Sequence, residues 1–117
     1  MSQERVLKAI MSLGLSETDA HVYVFLALNG PHKAREIATR MNLYKEQLYR
    51  SLRSLQDKDI AKGTVDHPAV FFAIPFEKVL DLLAEIRKEQ ESVLRKAREE
   101  LLSTWQSMTS KNATPKS

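Results

Sequence analysis

The sequence predicts a mainly α-helical domain that carries a small β-hairpin and ends in a long helix. Four segments before residue 60 repeat apolar residues at helical spacing, and they are separated by Gly14, by Gly30-Pro31 and by Asn42-Leu43. Two short runs rich in β-branched and aromatic residues then flank a turn cluster at 66–69. Residues 76–108 contain neither glycine nor proline and consist mostly of good helix formers, which is typical of one long helix.

The first helix is predicted over residues 3–13, and the second follows Ser16 and runs to Asn29. The segment after Ser16 is typical of a capping box, in which the Ser16 hydroxyl accepts from an early backbone N–H and the Asp19 carboxylate reaches back. Apolar residues through Leu28 occupy most sides of the second helix. We therefore expect it to be the central helix of the core.

The third helix is predicted over residues 34–41 and the fourth over 44–58, with Asn42-Leu43 as the tight turn between them. At about 100° per residue, the fourth helix gathers its leucines on one face and its charged residues on the opposite face. The leucines expected to point inward are Leu48, Leu52 and Leu55.

The remainder of the chain is predicted to contain two short strands, over 60–65 and 70–74, before the long helix. The expected organisation is a folded domain over residues 1–76, a long helix over 77–108 and a flexible tail over 109–117.

The composition bounds the class of protein. The chain has 117 residues, enough for one compact domain with an extension, and its 43% hydrophobic content argues against disorder. The lack of cysteine excludes disulfides, thiolate zinc sites and iron–sulfur ligation. No apolar run approaches the roughly 20 residues that span a bilayer, and no basic-then-apolar leader opens the sequence, so we expect a cytoplasmic protein. The net charge of +3 favours an anionic partner only weakly, because no stretch is strongly basic.

Two helices joined by a short turn and followed by a two-stranded hairpin form a winged helix-turn-helix, whose second helix enters the major groove of DNA. The polar face of the fourth helix carries residue types that read bases, because Arg binds guanine, Gln binds adenine and Glu accepts from cytosine. These residues are Lys45, Glu46, Gln47, Arg50 and Arg53. The alternative is a solvated face whose charges pair with each other, as Glu46 and Arg50 would at a spacing of four.

The sequence resembles the N-terminal DNA-binding domain of the archaeal TrmB-type transcriptional regulators over about residues 6–83. The matching segments are Leu13–Ala20, Val22-Tyr23, Asn29-Gly30-Pro31, Ala34–Ala38, Leu48–Leu55 and Phe72–Pro75. The resemblance implies a dimeric winged-helix repressor or activator with base contacts from residues 44–53. Full-length relatives carry a sugar-sensing domain after this one, and no effector pocket is indicated within these 117 residues.

Three positions depart from the family pattern. Tyr44 stands where Pro or Ser often begins the recognition helix, and Lys33 replaces a Thr cap but offers a phosphate contact. The wing tip Asp66-His67-Pro68 replaces a Gly-Arg-Pro-like sequence, which argues against insertion into the minor groove. The expected DNA-binding residues are Lys33, Arg35, Tyr44, Lys45, Glu46, Gln47, Arg50, Arg53, Lys62 and His67.

The long helix carries an apolar stripe whose members step by three or four residues along the chain. A helix that exposed the distal part of this stripe alone would be prone to aggregate, so we expect it to pair with the same helix of a second subunit. The alternative is that it folds back on its own core. The expected dimerisation residues are Val79, Leu83, Ile86, Leu94, Ala97, Leu101, Trp105 and Met108.

The sequence offers little to support a catalytic or metal-dependent function. The histidines, at 21, 32 and 67, show no metal-ligand spacing, and the three glycines form no phosphate loop. We therefore expect no metal site, no cofactor and no enzymatic activity. The main hypothesis is a homodimeric, sequence-specific regulator of double-stranded DNA, and the alternative is a winged-helix adaptor for protein assembly that does not contact DNA.

Overall fold

The computed structural model describes the backbone of residues 2–113 and the side chains of residues 3–110. The helices in this range are α1 Ser2–Ser12, α2 Glu17–Asn29, α3 Ala34–Met41, α4 Lys45–Asp57 and α5 Phe76–Ala113, and the strands are β1 His32–Lys33, β2 Ala61–Gly63 and β3 Val70–Ala73. The chain divides into two compact units, the winged unit Met1–Glu85 and the helical unit Ile86–Ser117. The predicted class, a mainly helical winged helix-turn-helix with a long C-terminal helix, is confirmed.

Only one of the two hydrogen bonds of the predicted capping box forms at the start of α2. The Asp19 backbone N–H donates to the Ser16 hydroxyl at 3.1 Å, which satisfies one of the unpaired N–H groups of the first turn. Asp19 does not reach back to Ser16, contrary to the expected capping box. Its carboxylate is buried and accepts from the Ser51 hydroxyl at 2.6 Å, so it binds α4 instead.

The core of the winged unit forms around α2 and α4. The three leucines of α4 are fully buried, as predicted. The Tyr23 hydroxyl donates to the Ile74 carbonyl at 2.7 Å, and burial raises the pKa of Tyr23 to about 12. The expectation that α2 is buried on most sides is wrong at its C-terminal end, because Ala27 and Leu28 are exposed, Leu28 by 67%.

The wing belongs to a three-stranded antiparallel sheet in the order β1-β3-β2. The predicted hairpin pairs Ala61 with Ala73 and Gly63 with Phe71. The third strand, β1, was not predicted, and it pairs His32 with Phe71 across the other edge of β3. It ties the connection between α2 and α3 to the wing.

The long helix begins directly after Pro75 and runs past the predicted end at Met108 to Ala113, so the first residues of the expected tail are helical. Residues 114–117 of that tail lie outside the described residues. Val79 and Leu83 are fully buried in the winged unit. None of the described helices combines the length and apolarity needed to cross a membrane.

Candidate nucleic-acid interface

The turn between α3 and α4 has the geometry of a helix-turn-helix. Asn42 adopts a left-handed conformation at φ 57° and ψ 48°, which Asn tolerates better than most residues. The Leu43 backbone N–H donates to the Ala38 carbonyl at 2.9 Å, closing the end of α3. The chain then turns over three residues, 42–44, and starts α4 at Lys45.

The orientation of α4 is set by what it buries. Leu48, Leu52 and Leu55 lie in the core, and Ser51 adds the hydrogen bond to Asp19 on α2. Because these four residues share one side of the helix, the remaining side must face outward.

The outward side carries the charged residues predicted from the helical spacing. Lys45, Glu46, Arg50 and Arg53 are exposed, and Gln47 is half-buried. Within the described residues, no ion pair joins Glu46 to Arg50, and neither Arg50 nor Arg53 has an ion-pair partner. Their guanidinium groups therefore remain open to an external acceptor.

The first turn of α4 contains a weak cap that the sequence did not reveal. The Tyr44 backbone N–H donates to the Gln47 side-chain oxygen at 3.4 Å, the backward half of a capping box. The Tyr44 ring is 81% exposed and has no side-chain cap bond. Gln47 is thus engaged with the helix end, whereas Tyr44 is free to meet a ligand.

The start of α3 forms a second basic edge. Lys33 and Arg35 are exposed, and the Lys33 backbone N–H donates to the Glu36 carboxylate at 2.9 Å. This hydrogen bond, with smaller contributions from nearby positive charges, lowers the pKa of Glu36. Glu36 thus makes the backward half of a capping box, and the Lys33 side chain, which makes no cap bond, is available for another contact.

A cleft of about 440 Å³ brings three separate elements together beside α4. Its lining comes from the start of α3, from α4 and from the wing, and includes Lys33, Arg35, Tyr49, His67 and Pro68. Tyr49 was missed in the sequence, although its position next to Arg50 on a helix with one apolar face was a usable signal. On the other side of α4, a polar cleft of about 300 Å³ includes Ser16, Gln47 and Arg50.

The wing presents both charged and apolar groups. Lys62 and His67 are exposed as expected, on the strand and at the turn. The Val70 backbone N–H donates to the Thr64 hydroxyl at 3.0 Å, which closes the base of the turn. Val65, at its tip, is 94% exposed, an apolar residue that sequence reasoning did not single out.

Helix-turn-helix, wing and an open basic face together define a winged-helix DNA-binding regulator. The model of the TrmB family, described as sugar-specific transcriptional regulator TrmB, matches residues 10–77. The chain therefore belongs to the TrmB family, and it is a DNA-binding regulator and not an enzyme. Within the described residues, no group of three or more His, Cys, Asp or Glu side chains is arranged to hold a metal ion.

Solved structures support the fold. TrmBL2, an archaeal chromatin protein, is 19% identical with a TM-score of 0.73, and the match covers 98% of this chain but 45% of TrmBL2. ST1889 from the thermoacidophilic archaeon Sulfolobus tokodaii is 21% identical with a TM-score of 0.64, covering 80% of this chain and 98% of that one. A possible transcriptional regulator from Methanosarcina mazei is 18% identical with a TM-score of 0.58, covering 83% and 86%. No curated protein sequence matches the chain.

Proposed function

We propose that this chain is a sequence-specific regulator that binds double-stranded DNA as a homodimer, with α4 in the major groove and the wing near the backbone. The observation that carries the proposal is that Arg50 and Arg53, on the face opposite the three buried leucines, have no ion-pair partner among the residues that the structure describes. An exposed arginine pair without internal acceptors suits bidentate contacts to guanine and phosphate.

The proposed contacts fall into two classes. Gln47 and Arg50 contact bases, with Tyr44 and Glu46 beside them at the start of α4, and Arg53 extends this surface. The phosphate contacts come from the flanking cations, with His67 as a further wing contact; these cations are Lys33, Arg35, Lys45 and Lys62. Phosphate contacts on both sides of the helix would hold its register in the groove.

The proposed dimer uses the part of α5 that lies in the helical unit. Leu94, Leu101, Trp105 and Met108 are exposed there, and Trp105 is exposed by 59%. Ile86 and Ala97 are half-buried and lie on the same stripe. Val79 and Leu83 were also expected to take part in dimerisation, but they are buried in the core of the winged unit and are not included in the proposed interface.

The homodimer matches the way winged-helix regulators read DNA. Two recognition helices about 34 Å apart would contact successive turns of the major groove at a pseudo-palindromic site. The expected cytoplasmic location stays a prediction.

Titration of duplex DNA at two salt concentrations tests the proposal. We expect saturable binding that weakens steeply with salt, because phosphate contacts release bound counterions. Selection from random duplexes should yield a preferred site, and exchange of Arg50 for Ala should relax it. Absence of binding at both salt concentrations would refute the proposal and favour the adaptor alternative.

A further inference from the structure

The cleft beside α4 extends beyond the cavity described above. That cavity, of about 440 Å³, adjoins a second one of about 390 Å³, and the two share four lining residues. The shared residues come from α3, α4 and the wing, and they are Ala34, Arg35, Tyr49 and Pro68. We call the two adjoining cavities the wing cleft. Each lies within the range of about 300–1,000 Å³ that is typical of small-molecule sites.

The buried part of the lining of the wing cleft is apolar. Ala34, Leu48 and Phe71 line it and are buried. Tyr49 belongs to both cavities and is 44% exposed, so part of this aromatic side chain remains accessible. Aromatic side chains interact favourably with other rings in stacked or edge-to-face arrangements. The inside of the wing cleft therefore suits a planar apolar group.

The exposed part of the lining is basic. Lys33, Arg35 and Lys45 are exposed cations, and His67 adds an imidazole. None of these side chains forms an ion pair with a described residue, and none of the described acidic residues lines either cavity. The nearby Glu36 carboxylate accepts from the Lys33 backbone N–H instead. An anionic group at the mouth of the cleft would therefore meet several donors, and hydrogen bonds between ionised groups are stronger than neutral ones.

Duplex DNA accounts for the basic part of this lining but not for the apolar part. The phosphates of a duplex would reach the cations at the mouth of the wing cleft. Its bases are stacked and paired, and they enter a pocket only when they are flipped out of the helix. A molecule that carries both an aromatic ring and an anionic group would use both parts of the lining.

We propose that the wing cleft binds a small planar aromatic anion, with its ring against Tyr49 and its anionic group beside Arg35, and that this ligand weakens the binding of DNA. The second part rests on the proposed function, because Lys33, Arg35 and His67 are also proposed phosphate contacts. A bound anion neutralises these cations before DNA arrives. The coupling is reciprocal, so DNA weakens the binding of the ligand by the same factor.

Two dyes that differ in one charged group test the chemistry of the site. Anilinonaphthalene sulfonate carries aromatic rings and a sulfonate, and phenylnaphthylamine is its counterpart without the sulfonate. Fluorescence titration of the full chain with each dye gives the two dissociation constants. We expect the sulfonate dye to bind about tenfold more tightly because of its charge-assisted contacts, with a difference that shrinks as the salt concentration rises. Equal binding of both dyes would place them on an uncharged apolar surface and would overturn the proposal.

Substitutions locate the bound dye. Tyr49→Ala removes the aromatic side chain and Arg35→Ala removes a cation, so each should weaken binding of the sulfonate dye about tenfold. Tyr49→Phe keeps the ring and should retain the affinity. Leu28→Ala is the matched control, because Leu28 lines a separate apolar cleft of about 360 Å³. With all variants folded by circular dichroism, a loss of affinity in Leu28→Ala but not in Tyr49→Ala would overturn the proposal.

Competition with DNA tests the second part of the inference. Saturating sulfonate dye should weaken the binding of a selected duplex about tenfold, and the neutral dye should have no such effect. Lys62→Ala separates the two ligands, because Lys62 is a proposed phosphate contact that does not line the wing cleft. This variant should weaken the binding of DNA and leave the affinity for the dye unchanged. Independent binding of dye and duplex would overturn the proposed effect on DNA.

The outcomes separate this inference from the proposed function. A chain that binds duplex DNA but not the sulfonate dye would overturn the inference alone, and a loss of DNA affinity in Tyr49→Ala would then assign the wing cleft to the DNA backbone. A chain that binds the dye in the wing cleft but binds no DNA at either salt concentration would refute the proposed function and support the ligand site.

Discussion

Because the Ser51 hydroxyl donates to the buried Asp19 carboxylate, we expect its removal to lower the free energy of unfolding substantially. Ser51 and Asp19 are 3% and 8% exposed, and the 2.6 Å bond between them joins α4 to α2. Ser51→Ala leaves the buried carboxylate without this donor. A hydrogen bond to a charged group contributes about 1.5–3 kcal/mol, and the unpaired acceptor keeps its desolvation cost. For a domain of this size about 2 kcal/mol lowers the melting temperature by roughly 8–16 °C.

Thermal and urea unfolding of the chain measure this effect. Ser54→Ala is the matched control, because Ser54 is half-buried on the same helix and accepts from Lys58 at 3.1 Å. We expect the control to change the free energy of unfolding by less than about 0.5 kcal/mol. The Ser51 and Asp19 alanine variants should also be non-additive, with a coupling of about 1 kcal/mol or more. Equal and small effects of Ser51→Ala and Ser54→Ala would refute the reasoning.

Further perturbations test the interface and the fold. Arg50→Ala should cost about 1–3 kcal/mol of binding to a selected site and relax specificity at one base step, whereas Lys62→Ala should weaken all duplexes alike and reduce the salt slope by about one. A selected site bound equally well by both variants and the native chain would contradict the assignment. Gly63→Ala places a Cβ 2.9 Å from the ring of Phe71, so unfolding in urea should show a loss of about 1–3 kcal/mol; an unchanged midpoint would show that the ring moves aside freely. Burial raises the pKa of Tyr23 from 10.0 to about 12, so its contribution to stability is complete below pH 10 and is lost as the pH rises through 12. The difference in unfolding free energy between the native chain and Tyr23→Phe should therefore shrink above pH 10, and a constant difference would contradict this.

Patterns along a single helix were readable from the sequence because the signal is local. Leu48, Leu52 and Leu55 recur at helical spacing, and their burial places Arg50 on the outer face without any tertiary information. The strand β1 could not be found in this way. It consists of two residues whose pairing with β3 depends on a segment almost forty positions later.

The extent of burial was harder to predict than its direction. Leu28 lies on an apolar helix, yet its side chain is exposed and lines an open apolar cleft together with Val6 and Phe76. Leu83 and Leu94 belong to one continuous stripe, and the spacing contains nothing that marks where the core ends. Tyr49 and Pro68 meet in one cleft only because the wing folds over α4, which no local pattern specifies.

At the start of α4, the helix cap and the proposed base contact both use the side chain of Gln47. The Gln47 side-chain oxygen accepts from the Tyr44 backbone N–H at 3.4 Å, long for such a bond, and the Tyr44 side chain does not cap the first turn as a Ser or Thr would. A glutamine that reads adenine uses both its amide oxygen and its amide nitrogen. The long cap bond is weak enough to be exchanged for a base contact. A strong cap at Tyr44 would stabilise the free helix, but it would hold Gln47 away from the groove that we propose it reads.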